Sequence, residues 1–206
     1  MGTSRKKAKF ITLISAMATF FSFLYKLLLG YVYRSIIYVA TAFSAFTIFL
    51  CKMIFVRKAT KSREEKRRGY LKMAAILFIY AILFILVVVL RIKGIGLEEK
   101  SYEGWISTIL ALFIVLMFVL SIRGYRIAAD RTDIMVLGLK EVGLATCFAD
   151  LVVLEGLLDD YFVDYFKEEK VNLVHDWFSL AMGGLMVFVS LCMFIRGIRK
   201  KKEYKN

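Results

Sequence analysis

Apolar residues run for about twenty positions at a time along this chain, and charged residues collect in clusters between the runs. A bilayer core of about 30 Å is crossed by ~20 helical residues, so tracts of this length predict transmembrane helices. Six are present, near residues 10–29, 34–56, 71–92, 104–122, 133–155 and 174–195. The first two are parted only by the stretch around Gly30 and Tyr31, which predicts a tight helical hairpin. The pattern gives an all-α integral membrane protein: a six-transmembrane-helix bundle forming a single domain over 1–206, with no soluble domain.

The charge clusters orient the bundle, because short cytoplasmic loops are enriched in Lys and Arg while Asp and Glu count for little. Arg5, Lys6, Lys7 and Lys9 precede the first tract, and Arg57, Lys58, Lys61, Arg63, Lys66, Arg67 and Arg68 lie between the second and third. Arg123, Arg126 and Arg131 follow the fourth, and Arg196, Arg199 and Lys200 to Lys202 follow the sixth. Six crossings put all four clusters on one side, with both termini cytoplasmic. The opposite side receives Glu98, Glu99 and Glu103 in one loop, and Asp159, Asp160, Asp164, Glu168, Glu169 and Asp176 in another.

Composition agrees: 60% of the residues are hydrophobic, mean hydropathy is +0.67 and there is no proline. Thirty Lys and Arg against seventeen Asp and Glu would suggest nucleic acid in a soluble protein. Here the basic residues sit between apolar runs, where topology and anionic lipid account for them, and no nucleic-acid partner is expected. Cys51, Cys147 and Cys192 lie inside apolar tracts without the paired spacing of metal or redox motifs, and read as small buried hydrophobes. The basic N-terminus and the Ala16-Met17-Ala18 triplet resemble a secretory signal, but the apolar character continues past the triplet, so an uncleaved first helix is expected. Lys6 stands where a myristoylation motif wants Ser or Thr.

Ionisable residues inside a bilayer cost roughly 2.5–3.5 kcal/mol each on insertion scales, so by default they face the protein interior and mark a pathway or a partner. The fifth tract holds most of them: Lys140, Glu141, Asp150 and, towards the acidic loop, Glu155, Asp159 and Asp160. At about 100° per residue, Asp159 falls on the side of Glu141 with Glu155 nearby, and Asp150 points the opposite way with Thr146. Two readings stand for this helix. In one, Glu141, Asp150 and the outer carboxylates line a cation route; in the other, Lys140 and Glu141 find local partners and the outer carboxylates are wet. Asp150 is expected to face the bundle interior and to hydrogen-bond helix 2 hydroxyls such as Ser44 or Thr47. Lys26 and Lys52 lie near helix ends and are expected to snorkel to the headgroups.

His175 and Asp176 form a weak outer metal candidate, because imidazole and carboxylate suit zinc; the alternative makes Asp176 a helix cap and His175 an interfacial polar residue. No metal is expected in the core, and no cofactor. No Ser-His-Asp set, HExxH, Walker loop, CxxC or GxGxxG is present, so an enzyme is not expected.

The run FFSFLYKLLLGYVYRSIIYVATAFSAF, with Lys26, Gly30 and Ser35, the entry through Gly69 and Tyr70 in RRGYLKMAAILFIYAILFI, and the segments ATCFADLVVLEGLL and HDWFSLAMGGLMVFVSLCMFIRGIR together resemble the transmembrane domain of the cation diffusion facilitators, the zinc and manganese antiporters. The resemblance implies a six-helix bundle in which Asp150 stands at the family's metal-binding aspartate and Asp176 at its entry aspartate. It also implies a weakened site. The family binds its ion with a His or Asp and an Asp four residues apart on helix 2, and with the same pair on helix 5. The matching positions here are Ser44 and Ile48, then Thr146 and Asp150. One carboxylate with hydroxyl neighbours lacks the donors of a tetrahedral zinc site. The family's cytoplasmic metal-binding domain has no counterpart after RGIRKKKEYKN.

Two functions therefore remain open. One is a transport-type protein of the plasma membrane, homodimeric and not a competent zinc antiporter, with Asp150, Glu141, Thr146, Ser44 and Thr47 along its pathway. The other is an accessory or sensory membrane subunit that docks a protein partner or anionic lipid through its basic cytoplasmic loops. A hydrated cavity at Asp150 and Glu141 would favour the first, and dry packing the second.

Overall fold

The computed structural model describes residues 2–32, 36–93, 104–129, 133–162 and 168–203, with side chains over 10–32, 39–93, 108–109, 111–129, 133–156 and 174–199. These residues form six helices: α1 (Gly2–Val32), α2 (Ile36–Lys58), α3 (Arg63–Ile92), α4 (Gly104–Ala129), α5 (Ile134–Phe162) and α6 (Glu168–Glu203). With no proline to interrupt the backbone ladder, each helix runs beyond its apolar tract into the polar flanks. Gly30 does not end the first helix, as the sequence reading expects. It is buried within α1, which continues to Val32.

Local chemistry fixes the entries into α3 and α5. Ser62 caps α3, its hydroxyl accepting from the Glu65 N–H at 3.3 Å, and Glu64 and Glu65 place negative charge in the first turn. Asp133 does the same for α5, accepting from the Met135 N–H at 3.0 Å. Asp176, expected as the cap of the last helix, lies inside it instead, because α6 begins at Glu168.

Helices α2, α3 and α5 pack against one another, α6 closes on α3 and α5, and α1 and α4 flank the core, resting on α2 and α5 respectively. Small residues allow the close approach: Ala40, Ala42 and Ala45 on α2, Ala74 and Ala81 on α3, and Ala145 and Ala149 on α5 are all buried. Larger side chains such as Tyr70, Leu77, Phe84 and Met186 fill the remaining space. The flanking helices turn apolar residues outward, among them Phe21 and Leu28 on α1 and Leu112 and Phe113 on α4. Such surfaces suit hydrocarbon and not water.

Five helices are long and apolar enough to cross a membrane: Phe10–Val32, Val39–Lys58, Arg63–Ile92, Ala111–Ala129 and Val174–Arg199. That is the character of an integral membrane protein. The fifth helix is set apart by Lys140, Glu141 and Asp150, yet it touches more of the bundle than any flanking helix does. Cross-helix contacts establish an up-and-down arrangement. The early residues of α1, α3 and α5 meet the late residues of α2, α4 and α6 at one end, as in Lys52 with Ser15 and Arg196 with Glu141. At the other end Glu155 of α5 meets His175 of α6.

Candidate functional site

The ionisable residues of α5 do not form one site. They form a series of pairs that reach α3, α6 and α1. At the first turn Asp133 Oδ2 accepts from Lys66 Nζ of α3 at 2.6 Å. Two turns further in, Glu141 is 4% exposed; its Oε2 accepts from the Tyr70 hydroxyl at 2.7 Å and its Oε1 meets the Arg196 guanidinium of α6. Both oxygens are thus engaged by donors, so neither is left unsatisfied in this buried position. Asp150 Oδ1 accepts from Lys26 Nζ of α1 at 2.7 Å, with side-chain exposures of 25% and 27%. Towards the far end Glu155 faces Nδ1 of His175, which is 1% exposed.

The wheel explains the directions. Glu141 and Glu155 lie on the same side of α5 and both turn to α6, while Asp150, half a turn away, reaches α1. Lys140, beside Glu141 in sequence, is exposed and lies over Gly124 of α4, where a β-carbon would come within 3.2 Å of its Nζ.

Several expectations change here. Asp150 pairs with Lys26 and not with the Ser44 hydroxyl: Ser44 Oγ donates to the Thr41 carbonyl at 2.6 Å, and Thr146 Oγ1 donates to the Val142 and Gly143 carbonyls at 3.0 Å. Inside a bilayer a hydroxyl satisfies itself most readily on its own helix. Thr47 is buried in the wall of an apolar groove between α2 and α3, away from either carboxylate pair. Lys26 does not snorkel, because Asp150 holds it. Lys52 likewise turns inward, donating to the Ser15 hydroxyl at 2.8 Å and to the Thr19 hydroxyl. Of the pathway candidates, therefore, Asp150 and Glu141 sit in separate ion pairs, and Thr146, Ser44 and Thr47 join neither by a direct hydrogen bond.

His175 is held against Glu155, and Asp176 is partly exposed on α6. Among the described residues no three His, Cys, Asp or Glu side chains gather as metal ligands. The acidic residues Glu98, Glu99, Glu103, Asp164, Glu168 and Glu169, and the side chains of Asp159 and Asp160, lie outside the described residues or side chains. So do the side chains of Arg5, Lys6, Lys7, Lys9, Arg131 and Lys200 to Lys202.

Sequence reasoning missed all five partners, Lys26, Lys66, Tyr70, Arg196 and His175. A depth count would have found the first: Lys26 lies sixteen residues beyond Phe10 and Asp150 seventeen beyond Asp133, so two helices entering from the same side carry opposite charges at equal depth. No family model matches the chain, and neither a curated protein nor a solved structure does.

Proposed function

We propose that this chain is an accessory membrane subunit that docks a protein partner through the basic end of its bundle. The carrying observation is a division of charge. Asp133, Glu141, Asp150 and Glu155 each face a cation or imidazole on another helix, so none is left as a bare ligand for a passing cation. Meanwhile Arg57, Arg123, Arg126 and Arg199 are exposed and have no acidic partner among the described residues. A bilayer-embedded bundle that pairs the described carboxylates of α5 and displays cations at one end is suited to holding an acidic surface there. By the positive-inside rule that end, with both termini, belongs in the cytoplasm, and the membrane in this reading is the plasma membrane.

Photo-crosslinking in intact cells tests the reading. Crosslinkers at the exposed positions 127 and 129 are expected to trap a discrete partner, one at position 177 is not, and changing Arg123, Arg126 and Arg199 together to Gln removes the product at unchanged expression. Equal crosslinking at both ends, or none at the basic end, would overturn it.

One observation favours a second reading, transport. The Lys26–Asp150 pair is about a quarter exposed, so a cation arriving at Asp150 would compete with Lys26 Nζ for the same oxygen. The resemblance to cation diffusion facilitators supports this alternative, which ion flux would distinguish.

A further inference from the structure

Between α2 and α3 lies a groove of about 570 Å3 lined almost wholly by apolar atoms. Its floor is buried, with Ala40, Tyr80 and Phe84 at 6% exposure or less, while its walls, Phe43, Ile79 and Leu83, are 45% to 59% exposed. It extends along α2 from Ala40 to Leu50, about 15 Å at ~1.5 Å per residue. Its near end, Leu50, lies about 10 Å along α2 from Arg57, and from there the groove runs through the middle of the helix's membrane span, so a tail that enters from the basic end and points to the bilayer centre passes into it. A long apolar groove of this kind suits an extended hydrocarbon chain.

The stripes that line the groove continue into charge. On α2, Phe43, Leu50 and Arg57 recur every seven residues and so share a face; on α3, Ile79 is preceded at the same interval by Lys72. Both cations are exposed and neither has an acidic partner among the described residues. Their neighbours are already neutralised: Lys58 pairs with Glu65, Lys66 with Asp133 and Arg68 with Glu64. Arg57 stands seven residues beyond Leu50 and Lys72 four before Ile76, so their long stems reach the headgroup level above the groove's near end.

We propose that the α2–α3 groove seats one acyl chain of an anionic phospholipid from the leaflet at the basic end, with the phosphate held between Arg57 and Lys72. This goes beyond partner docking and stands without it, since crosslinking to a partner can fail while lipid retention holds.

The test is native mass spectrometry of the full chain extracted from vesicles of equal phosphatidylglycerol and phosphatidylcholine with matched acyl chains. The wild type is expected to retain phosphatidylglycerol preferentially. Arg57→Gln and Lys72→Gln are each expected to lower that preference roughly fivefold, the effect of one basic residue at an anionic surface. Lys61→Gln, an exposed cation of the same turn, leaves it unchanged, and Leu83→Trp, which fills the groove, lowers retention of both lipids. Equal retention of the two lipids by the wild type would overturn the site. So would an equal loss in Lys61→Gln, which means diffuse attraction, or a Leu83→Cys disulfide between two copies that excludes lipid. If Leu83→Trp does not fold, the three charge variants decide.

Discussion

Lys26 and Asp150 illustrate what a charge within the bundle requires of its neighbours. Either residue alone would stand as an uncompensated charge between helices, and together they neutralise each other at 2.7 Å. Removing one partner of a buried pair typically costs about 3–5 kcal/mol, and the partial exposure of this pair brings the expectation down to about 2 kcal/mol. Asp150→Asn is therefore expected to lower the thermal midpoint in detergent. Adding Lys26→Met should return most of the loss, because no lone cation then remains. A double variant no more stable than Asp150→Asn would mean that the carboxylate matters for something besides Lys26. Glu141 is held more firmly, with both oxygens bonded and almost no exposure.

At the scale of elements, α5 is placed by its small residues as much as by its charges. A β-carbon on Gly138 would lie 2.5 Å from Cδ2 of Tyr70, a fully buried ring whose hydroxyl serves Glu141. Gly138→Ala is expected to push α3 and α5 apart at a cost of about 1–3 kcal/mol. Gly143, with nothing within 4 Å of its added β-carbon, is the control: Gly143→Ala should be neutral or stabilise by up to ~1 kcal/mol through helix propensity. Equal melting shifts in the two variants would contradict this packing.

The elements were legible in part because lipid demands unbroken apolar runs: each of the six helices overlaps one of the tracts, and five of them are long and apolar enough among the described residues to cross a membrane. Helix ends were less so. Backbone hydrogen bonding continues past the hydrocarbon limit, carrying α1 through Gly30 and starting α6 eight residues before Asp176. Face was legible too, since the half-turn between Glu141 and Asp150 foretells that they look at different helices. Partner was not: periodicity within one helix says nothing about which neighbour stands opposite, and only matching depth across helices links Lys26 to Asp150.

Over the whole molecule, the up-and-down contacts bring the described basic clusters to one end. With the positive-inside rule this predicts that Lys61→Cys and Arg126→Cys, in a background with Cys51, Cys147 and Cys192 replaced, resist membrane-impermeant maleimide in intact cells and react after permeabilisation. Labelling of either position from outside would reverse the topology.

The central claim is that the carboxylates of α5 are structural counter-charges and not an ion route. Its most direct test is flux into proteoliposomes loaded with indicator for zinc, manganese, potassium or protons. The account predicts uptake by the wild-type protein no faster than in protein-free liposomes for each ion. Uptake above that baseline, abolished by Asp150→Asn in protein shown to be folded, would contradict it and return Asp150 to the role of a carrier.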